Sequence, residues 1–99
     1  MILNVNAAVV SASAATETGI GAQMGVATAV VAEALTGVMP MGVDLDSVQF
    51  ASALNAVGAC YIGVAVEHLA SRGFFAEAQN LAAATYTATD VINNATLAL

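Results

Sequence analysis

The chain has 99 residues, 60% of them hydrophobic and 8% charged, with seven acids, one Arg, one His and a formal net charge of −6. That is long enough for one small domain, and a single cation cannot neutralise phosphates, which excludes a nucleic-acid-binding role; no basic cluster serves an anionic membrane surface. One cysteine, Cys60, excludes an intrachain disulfide and a cysteine-based zinc site, the usual staples of small secreted domains.

The N-terminal stretch MILNVNAAVVSASAATE lacks the basic n-region of a signal peptide. Alanine, the strongest helix former, recurs throughout the chain, and the pattern predicts a first helix over about 7–36 with Asn6 placed to cap it. The segment VMPMGVD reads as a loop over about 37–44, where Gly37 and Pro40 form a helix stop. Asp44 reads as the N-cap of a second helix, with Asp46 in its first turn at the positive end of the helix dipole. This helix is expected over about 45–91, followed by a frayed polar tail. At 1.5 Å per residue the two helices span about 45 Å and about 70 Å, and their short connection makes them antiparallel neighbours. The Val clusters are local and do not alternate between turn residues, so no strand is expected. Two charge-free windows, 18–32 and 47–66, approach membrane-span length, but no Lys or Arg flanks them and the second carries Gln49, Ser52 and Asn55.

Phe50, Leu54, Val57, Tyr61 and Val64 follow a four-three spacing, continued by His68, Ser71, Phe75, Ala78 and Ala82. Ile62, Val66 and Leu69 lie on another side of the helix, and Phe74 and Leu81 on a third. A helix apolar most of the way round must be buried on several sides, which one partner helix cannot achieve. A partner protein is therefore expected, with Phe50, Leu54, Val57, Tyr61, Val64 and Phe75 buried between helices. The expected fold class is all-α: an antiparallel two-helix hairpin, one domain over 1–99, that completes a helical bundle with its partner. Gly19, Gly21 and Gly25 in the first helix and Gly58, Gly63 and Gly73 in the second either let backbones approach closely or reflect a composition rich in small residues.

No chemistry-bearing constellation emerges. GIGAQMG at 19–25 has the look of a dinucleotide loop, but SASAATET before it is not a strand. His68 has Glu67, Ser71 and Arg72 within one turn, yet no elbow presents Ser71 as a nucleophile, and a structural histidine at a helix interface is the expected reading. Cys60, between Ala59 and Tyr61, reads as a buried small hydrophobe. The acids are scattered singly, so neither a metal site nor a carboxylate pair is expected; no cofactor and no enzymatic activity are expected either. Tyr86 and Asp90 lie four apart on one helical face.

Taken together, GIG at 19–21, PMGVD at 40–44, ACY at 59–61 and YTATD at 86–90 resemble, in order and spacing, the PE family of mycobacteria. The Pro-Glu pair that names the family falls near positions 7 and 8, where this chain has Ala7 and Ala8. The related WxG-type helical hairpins have a Trp-x-Gly turn, and this chain has no Trp. The resemblance implies a helical hairpin that pairs with a PPE-type protein into an elongated four-helix bundle, a heterodimer exported by a type VII secretion system. It implies that Tyr86 and Asp90 form part of the export signal, and that an EspG-type chaperone holds the partner's tip in the cytoplasm before export. The expected destination is the cell surface or the medium. Two other classes fit the apolar surplus: a homo-oligomeric helical assembly protein and a small membrane-associated hairpin.

Overall fold

The computed structural model describes residues 4–98, so the outermost positions of the expected 1–99 domain lie outside the described residues. Two helices, α1 (Ala7–Thr36) and α2 (Leu45–Leu97), pack against each other as a hairpin, and no strand occurs among the described residues. The all-α hairpin expected from the sequence is what the chain forms.

Each helix starts directly after the residue whose side chain caps it. The Val9 amide donates to Asn6 Oδ1 at 3.2 Å, and the Val10 amide donates to the Asn6 carbonyl at 3.2 Å. At α2, the Ser47 amide and hydroxyl donate to the two carboxylate oxygens of Asp44, each at 2.9 Å. The bonds from the Val9 and Ser47 amides satisfy donors that the first turn of a helix otherwise leaves open. Gly37 comes directly after α1, but it does not stop the helix through a left-handed backbone: no glycine among the described residues has positive φ. Its amide instead makes one more helical bond, to the Glu33 carbonyl at 2.8 Å. The loop is then held by Asn55 of α2, whose Oδ1 accepts from the Val38 amide at 2.8 Å and whose Nδ2 donates to the Val38 carbonyl at 3.1 Å.

α2 ends later than expected, at Leu97 rather than near 91. Asn93 and Asn94 are only mildly unfavourable in a helix, by a few tenths of a kcal/mol each, about 0.7 at most, and neither Gly nor Pro comes after them. The Thr96 hydroxyl and the Ala98 amide continue the pattern by donating to the carbonyls of Ile92 and Asn94 at 2.9 and 3.1 Å.

Packing divides the chain into two compact units. In the unit Ala22–Ala70, the covered positions of α2 are Ala51, Asn55, Gly58, Ile62, Ala65 and Leu69, and those of α1 are Met24, Gly25, Thr28, Ala32 and Leu35. In the unit made of Met1–Gly21 and Ser71–Leu99, they are Arg72, Ala76, Gln79, Ala82 and Ala83 on α2 against Ala7, Val10, Ala14, Glu17, Ile20 and Gly21 on α1. The spacing alternates four and three, the seven-residue period of helices packed side by side. Small residues dominate these seams. Among the described residues the buried hydrophobic ones are all alanines, Ala14, Ala51, Ala76 and Ala83, and no large side chain is fully buried. Each alanine brings a single methyl, about 0.8 kcal/mol, so the core of the hairpin is thin.

Candidate functional site

One residue before Ala51, Asn55, Gly58, Ile62, Ala65 and Ala76 of the α2 seam stand the large apolar side chains Phe50, Leu54, Val57, Tyr61, Val64 and Phe75. One residue is about 100° around a helix, so both stripes cannot face α1. Among Phe50, Leu54, Val57, Tyr61, Val64 and Phe75, exposure ranges from 40% at Leu54 to 67% at Val57. The chain itself leaves all six open to solvent. Tyr61 stands between two shallow cavities on this side. One, of about 290 Å³, is bounded by Ala34, Val38, Leu54 and Val57, with Leu35 and Gly58 at its base. The other, of about 210 Å³, is bounded by Ala27, Thr28 and Val31.

Gly58 explains how the helices come so close at that point. A Cβ placed there would fall on the carbonyl oxygen of Leu35, 2.7 Å from its carbonyl carbon and 3.2 Å from the Leu35 Cβ. The other helical glycines do not share this role. Gly19, Gly21, Gly63 and Gly73 have nothing within 4 Å of an added Cβ, and Gly25 meets only Leu69 Cδ1 at 3.9 Å.

Tyr86 and Asp90 belong to a different surface. Their numbers continue the seam of α2 beyond Ala83 by steps of three and four, past the point where α1 begins at Ala7. α1 therefore does not cover the seam face there. Tyr86, Thr89 and Asp90 border a cavity of about 230 Å³, with Asn4 and Val5, just ahead of α1, on its other side. A second apolar hollow, with Ala78, Leu81 and Ala82, flanks the other side of Tyr86.

Hydrophobic spacing alone does not anticipate a polar patch in the seam of the same unit. Arg72 pairs with Glu17 at 2.9 Å, and Gln79 Nε2 donates to Ser13 Oγ at 3.0 Å. Arg72 Nε and Gln79 Oε1 are buried there without a partner. Spacing along α2 could have flagged both residues, since Arg72, Ala76, Gln79 and Ala83 continue the four-three pattern, but a pattern search weighted by hydrophobicity passes over them.

GIGAQMG lies wholly within α1 rather than in a phosphate-binding loop. Cys60 is exposed, against the expectation of a buried small side chain, because it projects away from the seam residues Gly58 and Ile62. His68 is also exposed, within the large apolar stripe. No group of three or more His, Cys, Asp or Glu that could hold a metal ion occurs among the described residues.

The sequence model of the PE family matches residues 3–93. No curated protein and no solved structure matches the chain. The family match runs through both helices and the loop between them, from just before α1 to the last turns of α2, and on that extent the chain belongs to the PE family.

Proposed function

We propose that the chain is the non-enzymatic PE subunit of a heterodimer with a PPE-type protein, assembled in the cytoplasm and exported by a type VII secretion system. The observation that carries this reading is the stripe Phe50, Leu54, Val57, Tyr61, Val64 and Phe75, left open by the hairpin of a PE-family chain. Large apolar side chains left exposed together along one stripe mark a contact surface. Partner helices laid on the stripe complete a four-helix bundle, and Tyr61 sits between two hollows that partner side chains can fill. An EspG-type chaperone acts through the partner. Tyr86 and Asp90 supply the part of the export signal carried by this subunit, away from the stripe in sequence.

Co-expression with a PPE-type protein tests the pairing. The wild-type chain co-purifies with it, and Leu54→Asp does not, because a charge in the buried interface would stand without a partner. Recovery of Leu54→Asp in the complex at wild-type yield overturns the assigned face. One observation favours a second reading: both helices are long and apolar enough to cross a membrane. A complex that is soluble without detergent removes it.

A further inference from the structure

We infer that the cavity between Tyr86, Asp90 and the segment ahead of α1 receives one basic side chain, an arginine or a lysine, from the protein that reads the export signal. The inference rests on the export reading above and adds the chemistry of the reader and a second segment of this chain to the site.

Charge is the first argument. The chain has one Lys or Arg, and that residue, Arg72, is held by Glu17. Among the described residues no cation pairs with Asp90. A carboxylate at the edge of a concave site with no cation of its own is complementary to a cation brought by another molecule, and such charge-assisted hydrogen bonds are the strong ones. The second argument is the wall of the cavity. Tyr86 stands one helical turn before Asp90, so ring and carboxylate border the same space. An aromatic face attracts a guanidinium or ammonium group. Thr89 and Asn4 bring a hydroxyl and an amide oxygen as further acceptors, and Val5, half-buried, offers an apolar wall to the aliphatic stem of the same side chain. The volume of about 230 Å³ suits one side chain, not a peptide segment.

The third argument is how the cavity arises. α1 starts at Ala7, capped by Asn6, so the seam face of α2 runs on beyond α1 at 86 and 90 while Asn4 and Val5, just before the cap, border the far side of the cavity. Recognition therefore includes Asn4 and Val5, which the Tyr–Asp spacing alone does not contain.

The test is secretion of the co-expressed complex, comparing culture supernatant with cell pellet, with co-purification of the partner followed in parallel. Asp90→Asn keeps size and hydrogen bonding but loses the charge; it is expected to cut the secreted fraction about tenfold or more, the scale of losing a hydrogen bond to a charged group. Asp90→Glu retains export. Val5→Trp, which fills the cavity, and Val5→Lys, which offers Asp90 a cation from within the chain, both stop export with the complex intact. If Val5→Trp fails to co-purify, Val5→Lys decides. Normal export of Asp90→Asn overturns the basic side chain, and normal export of Val5→Lys overturns the composite cavity, while the export reading stands in either case if Tyr86→Ala and Asp90→Ala are retained in the pellet. Normal export of those two alanine variants overturns the export reading and the inference together.

Discussion

At Gly58 the absence of a side chain is what allows α2 to meet the Leu35 carbonyl, and the obstacle to a larger residue is backbone, which cannot rotate away. Gly58→Ala gains helix propensity of about 1 kcal/mol but must push the helices apart, and overpacking of this kind costs about 1–3 kcal/mol. The balance falls on the side of loss: Gly58→Ala lowers the melting temperature of the complex. Gly63→Ala, with open space around it, raises helix stability by up to about 1 kcal/mol. Thermal denaturation of the two variants side by side checks the contrast. Asp44 sets a pH dependence. The Ser47 amide, and after it the Ser47 hydroxyl, hold the Asp44 carboxyl below its ordinary value of 3.8. Because the folded value is depressed, the contribution of this cap is complete above the unfolded value and is lost as pH falls below 3.8 through the folded one. In an acid titration followed by circular dichroism, Asp44→Asn differs from wild type in neutral solution and converges on it as pH falls through the depressed folded value.

At the scale of the elements, the two helices and the turn were legible because their signals are local. Alanine content marks α1 and α2, Pro40 breaks the chain between them, and Asp44 with Ser47 begins the second. The seam was not legible, for a physical reason. In this hairpin the most deeply covered seam positions are Ala14, Ala51, Gly58, Ala76 and Ala83, while the bulky stripe that dominates the hydrophobic pattern of α2 stays exposed on the chain itself. The one-residue offset between the stripes is invisible until α1 is in place. Asn55 illustrates the same limit: a polar residue counted against a membrane span turns out to clamp the loop at Val38. The Tyr86–Asp90 pair could be found by spacing, but its exposure depends on where α1 begins, and Asn4 and Val5 gave no signal of their own. The start of α1 also bears on the loss of the Pro-Glu pair. Ala7 is the first helical residue and α1 has no acid in its first turn. Proline fits the first helical position, and an acid beside it meets the positive end of the helix. Restoring the pair as Ala7→Pro with Ala8→Glu is expected to stabilise α1 by about 0.5–1 kcal/mol, read as a rise in melting temperature. Asn6 already caps the helix, so assembly with the partner is unchanged.

For the whole molecule, the thin alanine core and the exposed stripe set the behaviour of the chain on its own. Among the described residues no large side chain is fully buried, while Phe50, Tyr61, Phe74 and Phe75 are all more than half exposed. Expressed without a partner, the chain is expected to self-associate or precipitate at micromolar concentration. Size-exclusion chromatography with light scattering checks this, and a monodisperse helical monomer counters it. Net charge adds little restraint. The acids are dispersed along both helices, and inside the stripe the only titratable side chains are Tyr61 and His68.

The pairing of Arg72 with Glu17 has a practical consequence for tracking the protein in solution. Arg72 is the only Lys or Arg in the chain, so trypsin has a single place to cut, and that place is a seam position in the middle of α2. A protease needs several residues of extended backbone around its target, which a continuous helix withholds until it opens locally. The rate at which the intact mass gives way to fragments 1–72 and 73–99 therefore counts the openings of one stretch of helix, with no label and no second site to confuse the signal. Partner binding, acid or a substitution anywhere in the chain can be compared on that one clock.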